Sequence, residues 1–196
     1  MSERFCRGYA GSLSALLRTE VDTKLGNVYN LYYSEFIFGL DNPTCLNLLR
    51  AEPLEGNLIL DISPSILYPM LDRLLGEGDK PRTMATLTEI EQRLVLRVTK
   101  MFLEGLQHAW ENIIDLEFEI IQTESDPKLI QMIPSTEVEV VFSFEVTLLG
   151  ACGVITLCIP YNAFKPFADK LASTKWRGRG NRNMWSGVVE EIDGKD

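Results

Sequence analysis

The chain has one histidine, His108, so any histidine-based triad, proton shuttle or metal centre would rest on that single ring. Glu104, Glu111 and Asn112 flank it at helical spacing, the pattern of a solvated helix face. The carboxylates alternate, as Asp115/Glu117/Glu119 and again as Glu137/Glu139; alternation by two puts each set on one face of a strand, read here as a polar outer face. Cys6, Cys45, Cys152 and Cys158 show no C-x-x-C or metal-type spacing, and the last three lie in or beside apolar runs, where a thiol packs as a small hydrophobe. They read as reduced cysteines of a cytosolic protein. The glycines form neither G-x-G-x-x-G nor a phosphate-binding loop. No cofactor, metal or catalytic residue is expected.

What remains is a chain built for contact, and its charge narrows the partner. A net charge of −9 repels phosphate backbones and anionic lipid, so proteins are the expected partners, with no nucleic acid and no membrane insertion. No signal peptide and no apolar run of about 18 residues is found. At 196 residues and 45% hydrophobic content the chain can bury one core, expected over residues 1–172, with 173–196 as a linker or tail. Lys175, Trp176, Arg177, Arg179 and Arg182 have the basic-aromatic look of a nucleic-acid arm, but the acidic body favours a linker.

The elements that must hold this together are stated twice. Gly56-Asn57-Leu58-Ile59-Leu60-Asp61-Ile62-Ser63 is echoed by Gly153-Val154-Ile155-Thr156-Leu157-Cys158-Ile159-Pro160 at an offset of 97, and Pro69, Asp72, Arg73 and Leu74 correspond to Pro166, Asp169, Lys170 and Leu171. Thr19-Glu20-Val21 and Thr88-Glu89-Ile90 are read as opening matching helical patterns. Two copies of a helix–strands–helix unit, over about 12–76 and 86–172, would cover each other's apolar faces about a pseudo-twofold axis. The first long helix is expected from Ser12 to about Tyr33, on the spacing of Leu13, Leu16, Leu17, Val21, Leu25, Val28 and Leu31. Strands follow at Ser34–Phe38, Cys45–Ala51 and Asn57–Ile62, with Gly56 as a turn residue of positive φ, then a helix from Ser65 to Leu75 closed by Gly76. In the second unit Thr88 and Glu91 form a capping box for a helix of nearly thirty residues, with Trp110 as its core anchor. Strands at Glu117–Thr123, Val138–Leu148 and Val154–Ile159 and a helix at Ala163–Ala172 complete it, with 124–137 an irregular insertion.

The ordered strings Ser12-Leu13-Ser14-x-x-Leu17-Arg18, Asp72-Arg73-Leu74-Leu75-Gly76, Leu87-Thr88-Glu89-Ile90-Glu91, Ala109-Trp110 and Cys158-Ile159-Pro160-Tyr161 resemble the middle domain of the flagellar motor switch protein FliM, from about Arg7 to Leu171. The resemblance implies a CheC-like three-layer α/β/α fold with two pseudo-symmetric halves. It implies a non-enzymatic part of the cytoplasmic switch ring at the inner membrane, which binds FliG above it, stands beside neighbouring FliM subunits and responds to phosphorylated CheY. Full-length members bind that regulator mainly through an N-terminal peptide and join the lower ring through a C-terminal domain, neither of which is read in this sequence.

The family's FliG-binding Gly-Gly-x-Gly loop falls at Gly76-Glu77-Gly78-Asp79, where only Gly76 matches in strict register. With Lys80 and Arg82 these residues are the expected FliG contact. Arg18 and Asp22, read as one turn apart on the first helix, are the expected subunit contact. The same fold includes phosphatases of CheY-phosphate, which use an acid three residues before an asparagine. No asparagine here has a Glu at that distance, and the nearest pair, Glu89-x-x-Gln92, lies in a helix cap.

Overall fold

The structure, a computed structural model, describes residues 2–76, 87–112, 114–130 and 137–165. Helix α1 (Ser2–Leu17) leads into strand β1 (Val21–Tyr32), helix α2 (Tyr33–Gly39), strands β2 (Cys45–Glu52) and β3 (Asn57–Ile62) and helix α3 (Pro64–Leu75). Helix α4 (Glu89–Trp110), strand β4 (Glu117–Glu124), a 3-10 turn (Pro127–Leu129) and strands β5 (Val138–Leu148) and β6 (Ala151–Pro160) follow, and residues 161–165 are again helical. The strands form one antiparallel sheet in the order β1-β5-β6-β3-β2-β4.

That order is unchanged when β1, β2 and β3 are exchanged with β4, β5 and β6, which is the mark of a twofold relation. Its axis passes between Leu60 and Leu157, which face each other across the central β3–β6 pair and are the two residues matched by the offset of 97. Both edges carry a bulge at equivalent places, just after the pairs Leu25–Phe144 and Ile120–Leu49. The repeat's two glycines serve the same packing: a Cβ at Gly153 would lie 2.6 Å from the Ile66 Cβ and the Ser65 Oγ, and one at Gly56 would meet Pro160, the counterpart of Ser63. Only Gly56 is also a turn residue, at φ 90; Gly153 is strand, and the second turn is Leu149–Gly150. The counterpart of Pro69–Leu74 at 166–171 lies outside the described residues.

The first helix departs from expectation. It begins at Ser2, not Ser12, with Phe5, Cys6, Tyr9, Leu13 and Leu17 as its buried stripe, and it stops at Leu17. Arg18 takes φ 52 and the Thr19 N–H reaches the Ser14 carbonyl, a Schellman stop, while the Ser14 Oγ accepts the Val21 N–H and starts the strand. Residues 21–32 are strand because Val21, Thr23 and Leu25 alternate inward; the bulge at Gly26-Asn27 then shifts the phase to Val28. Thr19 therefore closes a helix rather than opening one. Ser34–Phe38 is helix, not strand: Tyr33, Phe36 and Ile37 share one face, and the Glu35 carboxylate accepts the Tyr32 N–H at its entrance. Helix α4 has 22 residues and the expected Thr88/Glu91 capping box. Strands β3 and β5 run as expected, and α3 starts one residue early at Pro64 and ends on Gly76 at φ 71.

The layers are unequal. Helices α1, α3 and α4 cover one face over a core in which the rings of Phe5, Tyr9, Phe102 and Phe144 meet edge-on or stacked at centroid distances of 5.0 to 6.0 Å. Trp110 is buried against Phe142 and Phe164, as expected of an anchor. The opposite face is covered by α2 and the 3-10 turn, with Tyr33, Phe36 and Ile130 packed on Leu46, Leu48, Ile59 and Val141.

Candidate functional site

Gly76 of the expected FliG contact and Arg18 of the expected subunit contact end two helices that are tied together at one corner. Helix α1 has no basic residue in its last turn to complement its C-terminal carbonyls. Arg73 of α3 supplies one from across the gap: its Nε donates to the Leu17 carbonyl and its Nη2 to the Arg18 carbonyl, each at 3.2 Å. A guanidinium suits this role because its planar fork reaches two acceptors at once. The stop of α1 at Arg18 and the stop of α3 at Gly76, three residues past Arg73, are thereby locked together. Both are left-handed turns with exposed residues. Gly76 takes its conformation without the cost a Cβ would carry, and its N–H closes onto the Asp72 carbonyl. Glu77, Gly78, Asp79, Lys80 and Arg82 lie outside the described residues.

Arg18 and Asp22 are not one helical turn apart. Arg18 is the turn residue after α1, and Asp22 is an exposed strand residue of β1 opposite Thr147. Helical spacing beyond Leu17 does not apply, because the chain has already reversed.

The second face holds what the sequence did not disclose. Glu139, expected on a solvated outer face with Glu137, is 1% exposed. The alternation was right, but α2 covers that face. The Glu139 Oε2 accepts from the Cys158 Sγ at 3.6 Å, and its Oε1 has no hydrogen-bond partner among the described residues. Burial pushes the Glu139 carboxyl up to about 7, with the Cys158 hydrogen bond opposing. Asp61 is buried on the same face, accepts from the Thr44 hydroxyl, and is also pushed up to about 7 by burial. The clue in the sequence is one acid inside the apolar run Leu58–Ile62.

The long-helix face was the place to look for phosphatase chemistry. A groove of about 390 Å³ lies between α1 and α4, with Ser12, Glu104, His108 and Glu111 among its polar lining and no asparagine or glutamine there. His108 is exposed and bonded to the Glu104 carbonyl. Among the described residues no cluster of His, Cys, Asp and Glu suits a metal, and no helix is long and apolar enough to cross a membrane.

Comparison with known proteins agrees with this architecture. The sequence model of the family described as "Flagellar motor switch protein FliM" matches residues 1–176. The chain is 35% identical to the flagellar motor switch protein FliM of Borreliella burgdorferi over 176 residues, 89% of this chain and 50% of that protein. The chain spans about half the length of the curated relatives it matches. The FliM middle domain from H. pylori superposes with a TM-score of 0.76 at 25% identity, over 86% of this chain and 95% of that one. The structure of the FliG-FliM complex from H. pylori gives a TM-score of 0.79 at 25% identity, over 84% and 91%. A CheC-like superfamily protein from Shewanella, 13% identical with a TM-score of 0.51 over 80% and 94%, shares the fold alone.

Proposed function

The chain belongs to the FliM family of flagellar motor switch proteins, and from that premise we propose that it acts as the middle domain of a motor switch subunit: a non-enzymatic adaptor in the cytoplasmic ring that binds FliG, stands beside further FliM copies, and helps turn the binding of phosphorylated CheY into a direction of rotation. The observation that carries this reading is the family match over the folded body, joined to a solved complex in which a similar FliM chain is paired with FliG. The FliG contact is assigned to Gly76, Glu77, Gly78, Asp79, Lys80 and Arg82. Its support is the exposed left-handed stop at Gly76 on a corner stiffened by Arg73, where a backbone without a Cβ allows close approach. Arg18 lies at the same corner and Asp22 on the adjoining strand, and both are kept as subunit contacts on their exposure. Residues 173–196 are read as a linker or tail that follows the single domain.

The mechanism is a bias between arrangements of neighbouring subunits, so it asks for a stiff body with a presented loop rather than for a reactive group. The alternative, a phosphatase of CheY-phosphate, finds no asparagine or glutamine among the residues lining the groove. Mixing the chain with FliG of the same organism should give a complex that co-migrates on size exclusion, and adding the chain to CheY-phosphate should leave its decay rate unchanged. Failure to form the complex would overturn the FliG assignment; accelerated decay would overturn the non-enzymatic one.

A further inference from the structure

Three of the large apolar side chains that remain exposed sit on the second face. Phe38 of α2 is 82% exposed and Leu129 of the 3-10 turn 63%, with Tyr29 of β1, opposite Val141, partly exposed on the same face. These elements adjoin: the Asn42 side chain donates to Asp126 at 3.1 Å, the Thr44 N–H to the Ser125 carbonyl at 3.0 Å, and the Tyr33 hydroxyl to the Ile130 carbonyl. The surrounding charge is one-sided. Glu35, Asp41, Glu124, Asp126 and Glu137 are met by Lys128 as the one cation within residues 33–44, 124–130 and 137. An apolar surface with an acidic rim fits a segment that is aromatic and basic.

The chain contains such a segment. Residues 175–185 carry four cations, Lys175, Arg177, Arg179 and Arg182, no acid, and two of the protein's three tryptophans, Trp176 and Trp185. Geometry also favours it. Pro160, where β6 ends, is opposite Glu139, and the next residue of β5, Val138, is opposite Tyr32. The chain therefore leaves the sheet two strands from β1 and at the same end, and residues 161–165 then pack on the helix face, with Phe164 against Trp110 and Phe142, so that the segment reaches the second face around the end of the sheet. Trp176 is eleven residues beyond Lys165, a reach of up to about 36 Å at about 3.3 Å per extended residue, against layers about 10 Å apart. We infer that residues 175–185 dock on the surface formed by Tyr29, Phe38 and Leu129 of their own chain, the tryptophans on the apolar side chains and the arginines on the acidic rim and the Tyr29 ring. Docking there would hold residues 175–185 against this domain, independently of the FliG contact.

The two tail tryptophans report the docking directly. Acrylamide quenching of the full chain, less that of the Trp176→Phe/Trp185→Phe variant, isolates their emission from that of Trp110. The tail emission is expected to be blue-shifted and several-fold less quenched than that of a free peptide of residues 173–187. Phe38→Glu/Leu129→Glu, at exposed positions and with circular dichroism to verify folding, should raise quenching to the peptide value. At about 1 M salt, where the Debye length is about 3 Å, protection should weaken. Tail tryptophans quenched like the free peptide in the unaltered chain, or still protected in the folded double variant, would overturn the proposal. Protection that vanishes on dilution would overturn docking within one chain in favour of docking on a second copy.

Discussion

The two halves of the molecule use one frame and fill it differently. Lys24 faces Glu145 at 2.9 Å on one edge of the sheet, and at the equivalent place on the other edge Arg50 faces Glu119 at 3.5 Å with the signs exchanged. The buried acids follow the same rule: Thr44 donates to Asp61 in the first half, and at the matching positions Cys158 donates to Glu139 in the second, so the acid has moved from β3 to β5. The hairpins differ too. The second is longer by two residues and closes tightly on Leu149–Gly150, where the first opens into a wide connection through Gly56. Symmetry is thus kept in backbone register and core packing, where each half needs the other to cover it, and is relaxed in polar pairs and connections. Gly76 and α2 both lie where it is relaxed.

The largest effect should come at the axis. Leu60→Ala and Leu157→Ala, both at fully buried positions, should each cost about 2–5 kcal/mol, and by similar amounts because the two side chains occupy one symmetric environment. Urea unfolding measures this; a loss at only one position would break the equivalence.

The buried acids come next. Asp61 and Glu139 are held near 7 in the fold against ordinary values of 3.8 and 4.5, so the folded chain binds more protons than the unfolded chain between about pH 4 and pH 7. Stability should therefore be greatest at the acid end of that window, fall as pH rises through 7, and level off above it. Asp61→Asn and Glu139→Gln should each flatten part of the slope and raise stability at pH 8 by roughly 1–3 kcal/mol, in unfolding curves at pH 5 and pH 8. An effect from Asp61 alone would show that the Cys158–Glu139 pair is not the working counterpart of Thr44–Asp61.

The hairpins give the smallest difference. Leu149 sits at φ 51 beside Gly150 at φ 83, a turn that suits Asn-Gly, and Leu149 is largely exposed. Leu149→Asn should raise the thermal midpoint, by about 0.5–1 kcal/mol of stability. No gain would mean that the leucine side chain makes up its backbone strain by contact.

How much of this could be read in the sequence depended on whether one period ruled the segment. Asn57–Ile62 and Val138–Leu148 were legible as strands and Thr88/Glu91 as a cap, because local pattern and tertiary role agree there. Strand β1 was misread because a polar Thr23 and the Gly26-Asn27 bulge turn its alternation into the spacing Val21, Leu25, Val28, which imitates a helix. Missing α2, only seven residues long, left the second face uncovered and so placed Glu139 in water. The repeat survived these errors because it rests on Leu60 and Leu157, at the centre of the sheet. The Gly76 stop was legible as a cap, but Arg73's link to the end of α1 was not, since nothing local ties residue 73 to residue 17.

The account stands on the Gly76–Arg82 segment as the FliG contact, and a calorimetric titration of FliG into the folded chain and its Gly76→Val/Gly78→Val variant tests it most directly. With circular dichroism unchanged, the account predicts that the double variant loses affinity by at least tenfold, about 1.4 kcal/mol. An unchanged affinity in the folded variant would contradict it and place the partner elsewhere on the molecule.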